Sequence, residues 1–408
     1  MGSSYRSRFL ACTSLAHFVN DGTVFFVPLI AVIIADTKLT SPLLLTIMFV
    51  VFWASSSIFS TYVGAVADRS GRPASLIGLG IGLLSSGIAG FYISMSYADG
   101  MLLTVFVVLS ALVAGSGSAF THPLAAAVLE SVYGEKDKGK ALGINGAVGS
   151  FGRALYPSLF FLVASFLSQV GSIAFFALLG FVASVIIWIG LRQREISSRS
   201  AQPASQTGRR EREVITTGIV VLTLVAFVRS LAVGGLLNWI PTYLSLRRGL
   251  GVTSNLGYTL TAMYAAAIIG QPIFGVLVDR FDKRLVLGLS SIGSALSILG
   301  YLFATGPLDI VLLSLFGFFT FSAFPLLLSL ASEHAPREQF SLGNALVWGL
   351  GVSGGTAIGP AITGAIVTTD YANLGFAFEI MAFIALLSAL GTIFIPKPER
   401  SRKVPLFG

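Results

Sequence analysis

The chain has 408 residues, 54% of them hydrophobic and only 11% charged, and its mean hydropathy is +0.85. A soluble globular chain carries about 25% charged residues, so this balance excludes a soluble fold and predicts many membrane crossings. The net charge of +8 does not point to nucleic acid, because the basic residues follow the topology of those crossings.

Twelve apolar runs are long enough to cross a bilayer as helices, near residues 9–34, 42–67, 74–96, 101–131, 141–167, 171–191, 214–244, 254–278, 285–305, 310–332, 340–367 and 374–396. With both termini in the cytoplasm, 21 of the 26 Lys and Arg residues fall inside, three outside (Lys38, Arg247, Arg248) and two within helices. That asymmetry is the positive-inside rule and sets the expected orientation. The first run exceeds the apolar region of a signal peptide and is expected to stay as a helix. Cys12 is the single cysteine, so no intrachain disulfide forms.

One long polar stretch, "RQREISSRSAQPASQTGRREREVI" from Arg192, separates the sixth run from the seventh. Its Ser, Arg and Gln content predicts a flexible cytoplasmic linker. The expected organisation is an N-terminal six-helix half (1–191), a linker (192–213) and a C-terminal six-helix half (214–408). The halves repeat each other: "GAVADRSGRP" (64–73) aligns with "GVLVDRFDKR" (275–284), Gly115 with Gly317 and Pro123 with Pro325. Gly146, Gly152, Ala154 and Pro157 align with Gly349, Gly355, Ala357 and Pro360, and Pro28 with Pro241. The expectation is therefore an all-α membrane protein of twelve helices in two pseudo-symmetric halves, with a parallel repeat and a midplane site.

The loop after the second run, with Gly64, Asp68, Arg69, Gly71 and Arg72, resembles the signature loop of the major facilitator superfamily, and Asp279 and Arg280 echo it in the second half. Glycines permit a tight turn, the acid faces a helix N-terminus, and the arginines lock an inner gate. Pro73 stands where a basic residue is common. The glycine stripes "GINGAVGSFGRALYP" and "WGLGVSGGTAIGP" predict close helix packing with a kink. Trp53, Trp239 and Trp348 are expected as interface anchors or packing residues.

Charged and polar groups deep in hydrocarbon are costly and mark functional sites when partners exist. Six fall within about two turns of the bilayer centre: His17, Asn20 and Asp21 in "HFVND", His122, Arg153 and Arg229. His17 and Asp21 share one helix face, and Asn145, Gly149 and Arg153 form a stripe at spacing four. Two arginines against one deep acid predict an anionic or polar guest. Arg153, Arg229, Asn20 and His122 are the candidate substrate ligands; Asp21, His17 and His122 are the candidate proton carriers. The structural alternative is a buried Asp21–Arg153 pair that only holds helices together. Histidine and cysteine total four and are not clustered in sequence, so no metal site is expected, and neither a catalytic motif nor a cofactor is read.

"HFVNDG", "GSGSAFTHP", "NGAVGSFGRALYP" and the "RS" of the seventh run resemble the fosmidomycin resistance branch of that superfamily. The resemblance implies a proton-driven antiporter that exports an anionic phosphonate antibiotic from a prokaryotic cell. It carries over to His17, Asn20, Asp21, His122, Pro123 and Arg229; Arg153 stands where the branch has a small or apolar residue. The combined expectation is a monomeric secondary transporter in the cytoplasmic membrane, in contact with lipids. It moves a small anionic or polar solute by alternating access, by proton-coupled export. The alternatives are an importer or exchanger of carboxylates or sugar derivatives and, in another class, a receptor or channel.

Overall fold

The computed structural model describes residues 3–38, 40–70, 73–192, 216–335, 343, 346–368 and 370–397. The described residues form helices and connecting turns, with no strand among them, and twelve stretches are long and apolar enough to cross a membrane. The predicted linker at 192–213 lies outside the described residues except for Arg192.

The chain forms two compact units, residues 1–202 with 244–261, and residues 203–243 with 262–408. In the first unit the helices are α1 (Ser3–Lys38), α2 (Pro42–Ser70), α3 (Pro73–Tyr97), α4 (Gly100–Ser118), α5 (Thr121–Ala164) and α6 (Gln169–Leu191). α1 packs chiefly on α5, α2 on α4, and α3 on α4 and α6. Phe9, Val19, Ile77, Ile81, Leu124, Val128 and Ile187 form a buried core. The loop expected between the fourth and fifth spans is helical backbone instead, because α5 runs through it as 44 residues. Its Glu, Lys, Ala and Leu residues are good helix formers.

The remaining helices are α7 (Thr217–Thr242), α8 (Ser254–Arg280), α9 (Lys283–Phe303), α10 (Pro307–His334), α11 (Gly354–Val367) and α12 (Leu374–Gly391). α7 packs on α11 and α12, and α9 on α10 and α12, repeating the first unit's pairing. α8 begins within the first unit, where Thr261 Oγ1 lies 2.7 Å from Ser158 Oγ. Side-chain caps fix several starts: Ser168 Oγ accepts from Gly171 N at 2.9 Å and Thr216 Oγ1 from Ile219 N at 3.2 Å. Large apolar residues such as Leu178, Val185, Ile189, Leu296 and Phe383 are exposed on the helices, as lipid-facing surfaces require.

The internal repeat is visible in backbone contacts. A Cβ on Gly115 would overlap the Phe52 carbonyl, and one on Gly317 would overlap the Met263 carbonyl. Likewise Gly152 closes on the Phe18 carbonyl and Gly355 on that of Phe227. Glycine is required at all four because helix backbones meet there without room for a side chain. At the next turn the small residue changes sides: Gly22 of α1 faces the Tyr156 ring, whereas Gly359 of α11 faces the Leu231 backbone. In this register Arg229 is the repeat equivalent of Asn20, Ser230 of Asp21, Ala226 of His17 and Thr356 of Arg153. Pro28 and Pro241, paired by sequence, sit about one turn apart in it. Before α11, the segment Leu346–Ser353 is π-helical where α5 is regular, so Gly349 and Gly146 differ in local geometry.

Candidate functional site

Neighbouring faces of α1 and α5 build the site. His17, Asn20 and Asp21 lie three and four residues apart on α1 and so share a face. α5 starts after a break at Ala119–Phe120, and Pro123 accounts for it. Proline has no N–H to continue the ladder back into α4, and it is tolerated in the first turn of a new helix. The break sets His122 at the head of α5.

Asp21 is the centre. Arg153 Nη2 donates to its Oδ2 at 2.9 Å. Around Oδ1 stand His17 Nε2 at 3.5 Å, His122 Nε2 at 3.4 Å and Asn20 Nδ2 at 3.3 Å. Asn20 Nδ2 also lies 3.4 Å from His122 Nε2, and the imidazoles meet edge to face with centroids 4.8 Å apart. Asp21 and Arg153 are buried, whereas the His122 side chain is 40% exposed. The arginine Cζ lies 4.7 Å from the centroid of the Phe25 ring, one turn beyond Asp21 on α1. His17 turns its other nitrogen to Asn145, Nδ1 to Oδ1 at 2.6 Å. Gly149 leaves the space that the His17 ring fills, since a Cβ there would overlap it.

Five of the six deep polar residues thus meet within the first unit. The sixth, Arg229, is buried in the second unit. Its Nη2 donates to the Thr320 carbonyl at 2.7 Å and approaches Ser290 Oγ at 3.4 Å. Ser290 in turn donates to the Phe319 carbonyl at 2.7 Å. These described partners of Arg229 are neutral.

Two site residues were not among the candidate substrate ligands or proton carriers. Asn145 fixes the orientation of His17, and its signal was the spacing-four stripe with Arg153. Phe25 carries the Arg153 guanidinium, and its signal was its place four residues after Asp21. The expectation of no metal site rested on histidines that are unclustered in sequence. In space they are clustered: packing of α1 on α5 brings the ligand atoms of His17, Asp21 and His122 within 4.8 Å of one another. Trp239 is fully buried, with Nε1 donating to the Pro360 carbonyl at 3.3 Å, and serves packing.

For the gating candidates, the surroundings of Gly64, the side chains of Asp68 and Arg69 at the end of α2, all of Gly71 and Arg72, and the side chain of Asp279 lie outside the described residues. Arg280 ends α8 and is exposed. Beside it, Lys283 Nζ lies 2.5 Å from Glu333 Oε1 and 2.6 Å from Ser329 Oγ, an ion pair that sequence had not indicated. Asp282 caps α9 and takes the Arg284 guanidinium, which holds its carboxyl below the ordinary carboxylate range.

Known proteins agree with this architecture. An uncharacterized MFS-type transporter, YfnC, of Bacillus subtilis (strain 168) is 25% identical across 97% of this chain and 94% of its own. A probable sulfoacetate transporter, SauU, of Cupriavidus necator is 27% identical across 51% of this chain and 48% of its own. The inward-open xylose transporter XylE of E. coli superposes with a TM-score of 0.73 at 15% identity, covering 98% of both chains. Likeness at that identity speaks for the fold alone. The sequence profile of the Major Facilitator Superfamily, however, matches residues 10–344 and 253–408. With the twelve helices and the repeated glycine contacts, that match places the chain in the Major Facilitator Superfamily, as a multi-pass membrane transporter and not an enzyme.

Proposed function

We propose that this chain is a secondary active transporter that carries a small organic anion across a prokaryotic cytoplasmic membrane by alternating access, with protons as the coupling ion. The buried Asp21–Arg153 pair flanked by two histidines carries this reading. With Asp21 ionised, its carboxylate at 2.9 Å neutralises the guanidinium, which then offers little to an anion. With Asp21 protonated, arginine keeps its charge and the cluster becomes one unit more positive. Anion binding strengthens, and by reciprocity a bound anion strengthens proton uptake by the same factor. Proton and anion then travel together, which supports the importer among the functions open from sequence.

In this reading Arg153, Arg229, Asn20 and His122 are the residues that bind the guest. Asp21, His17 and His122 hold the coupling protons. Gly64, Asp68, Arg69, Gly71, Arg72, Asp279 and Arg280 form the gate loops, and both termini are cytoplasmic. The relation to a probable sulfoacetate transporter supports a guest with carboxylate or sulfonate groups. A second reading, export in exchange for protons, is supported by the resemblance of the chain's motifs to those of fosmidomycin resistance proteins. It requires a guest that needs ionised Asp21 and so competes with the proton.

Proteoliposome uptake of labelled carboxylates, sulfonates and phosphonates under imposed pH gradients separates the two. Acid outside drives accumulation in the first reading. Accumulation driven only by acid inside would establish exchange, and anion movement indifferent to either gradient would remove the proton from the mechanism.

A further inference from the structure

We propose that His17 Nε2, His122 Nε2 and Asp21 Oδ1, completed by the Asn20 amide oxygen, form a four-coordinate site for a divalent transition metal of the zinc type. In a tetrahedral site with bonds of about 2.0–2.1 Å, neighbouring donors lie about 3.3–3.4 Å apart. The distances from Asp21 Oδ1 to the two imidazole nitrogens are 3.5 and 3.4 Å, and the ligand atoms of all three residues lie within 4.8 Å of one another, so the two imidazoles draw together when an ion binds. The Asn20 amide nitrogen lies 3.3 Å from Asp21 Oδ1 and 3.4 Å from His122 Nε2, while its oxygen is buried without a hydrogen-bond partner. A half-turn of the amide exchanges the two atoms at little steric cost, since they are nearly equal in size. It would bring the unpaired oxygen to the position where the other donors converge.

The surroundings prepare these atoms. Asn145 Oδ1 accepts from His17 Nδ1 at 2.6 Å, which leaves the lone pair on Nε2. This is the second contact that metal-bound histidines ordinarily make. Arg153 engages Asp21 Oδ2, leaving Oδ1 for the ion. In that tautomer two acceptors, His17 Nε2 and Asp21 Oδ1, face each other, and a cation between them relieves the repulsion. Two imidazoles select zinc, cobalt, nickel or copper over magnesium and calcium, which take oxygen ligands. The Arg153 charge opposes the ion, so the site is weaker than a closed structural zinc site. A metal here would occupy the atoms assigned to coupling protons and so block proton-driven turnover. That regulatory consequence rests on the proposed function; metal binding itself does not.

The test is Co2+ titration of the purified full-length protein, read by visible ligand-field absorption. One saturable tetrahedral spectrum is expected. His17→Ala and His122→Ala should each weaken binding about tenfold or more, and Arg153→Gln should tighten it, with helical circular dichroism as the check on folding. Absence of a saturable spectrum in the unsubstituted protein would overturn the site, as would one unchanged in both histidine variants. Should the variants not fold, diethylpyrocarbonate labelling of the unsubstituted protein decides. Zn2+ should protect His122; equal labelling of His122 with and without saturating Zn2+ overturns the site. If Co2+ binds but a pH gradient does not drive uptake in metal-free liposomes, the coupling reading falls and the metal site stands. Gradient-driven uptake without metal binding leaves the coupling reading standing and overturns the metal site.

Discussion

Arg153 and Asp21 belong to different helices yet meet at 2.9 Å inside the first unit, with side chains only 11% and 6% exposed. A buried pair of this kind binds the two helices together, and it also sets the charge that any guest meets. Removing one partner leaves the other uncompensated, at a cost of about 3–5 kcal/mol. Arg153→Ala should therefore lower the thermal unfolding midpoint in detergent more than the double variant Asp21→Asn/Arg153→Gln does. Equal destabilisation by both would show that the pair contributes no mutual attraction.

Asp21→Asn should abolish pH-gradient-driven accumulation while sparing anion exchange between equal concentrations. Asparagine keeps the shape but has no proton to exchange. Counterflow and gradient-driven uptake in the same liposomes measure the two, and full accumulation by the variant would remove Asp21 from coupling.

Gly149→Val should displace the His17 ring from Asn145 and Asp21, because even a Cβ at that position overlaps it. Overpacking of this kind costs about 1–3 kcal/mol. Transport should fall further than stability does. Gly146→Ala has open space at its Cβ and serves as the matched control in the same uptake assay.

Arg229→Lys keeps the charge but loses the planar fork that bonds the Thr320 carbonyl at 2.7 Å and reaches Ser290 at 3.4 Å. The expected result is about a tenfold rise in the half-saturating anion concentration, equivalent to about 1.4 kcal/mol. Wild-type saturation in the lysine variant would confine Arg229 to packing.

The pH dependence of stability has a surface contributor in Asp282. The hydrogen bond from Arg284 holds its carboxyl below the ordinary value of 3.8 in the folded state. A lowered carboxyl adds stability that is fully present above the unfolded value and is lost as pH falls through the folded one. Asp282→Asn preserves the cap on α9 but removes the charge. Its unfolding midpoint should therefore fall less steeply than that of the unsubstituted protein below about pH 4, with midpoints scanned against pH as the measurement.

Much of the fold was legible because membrane burial writes itself into composition. Twelve apolar runs, the paired glycines Gly115 and Gly317, and the pair Gly152 and Gly355 were all readable; Gly115 and Gly317 close on backbone that the sequence repeat pairs, whereas Gly355 closes on Phe227, one turn from the position the pairing of Pro28 with Pro241 implies. The break before His122 was less legible: Pro123 was read as the repeat partner of Pro325, not as the place where α4 would end and α5 begin. The continuous helix through residues 132–140 was missed because charges read as a loop outweighed helix propensity.

Twelve membrane crossings, a repeat between the two halves, and a few deep polar residues in need of partners all follow from the order of amino acids alone. Hydrophobic length and repetition are local properties and need no knowledge of how the helices pack. Which partners the polar residues find is a matter of that packing. Close approach of α1 and α5 at Gly149 and Gly152 brings Asp21 and His17 of one helix to Arg153 and His122 of the other, whereas Arg229 bonds the neutral Thr320 and Ser290. That choice depends on contacts between residues far apart in the chain, where sequence spacing carries no distance.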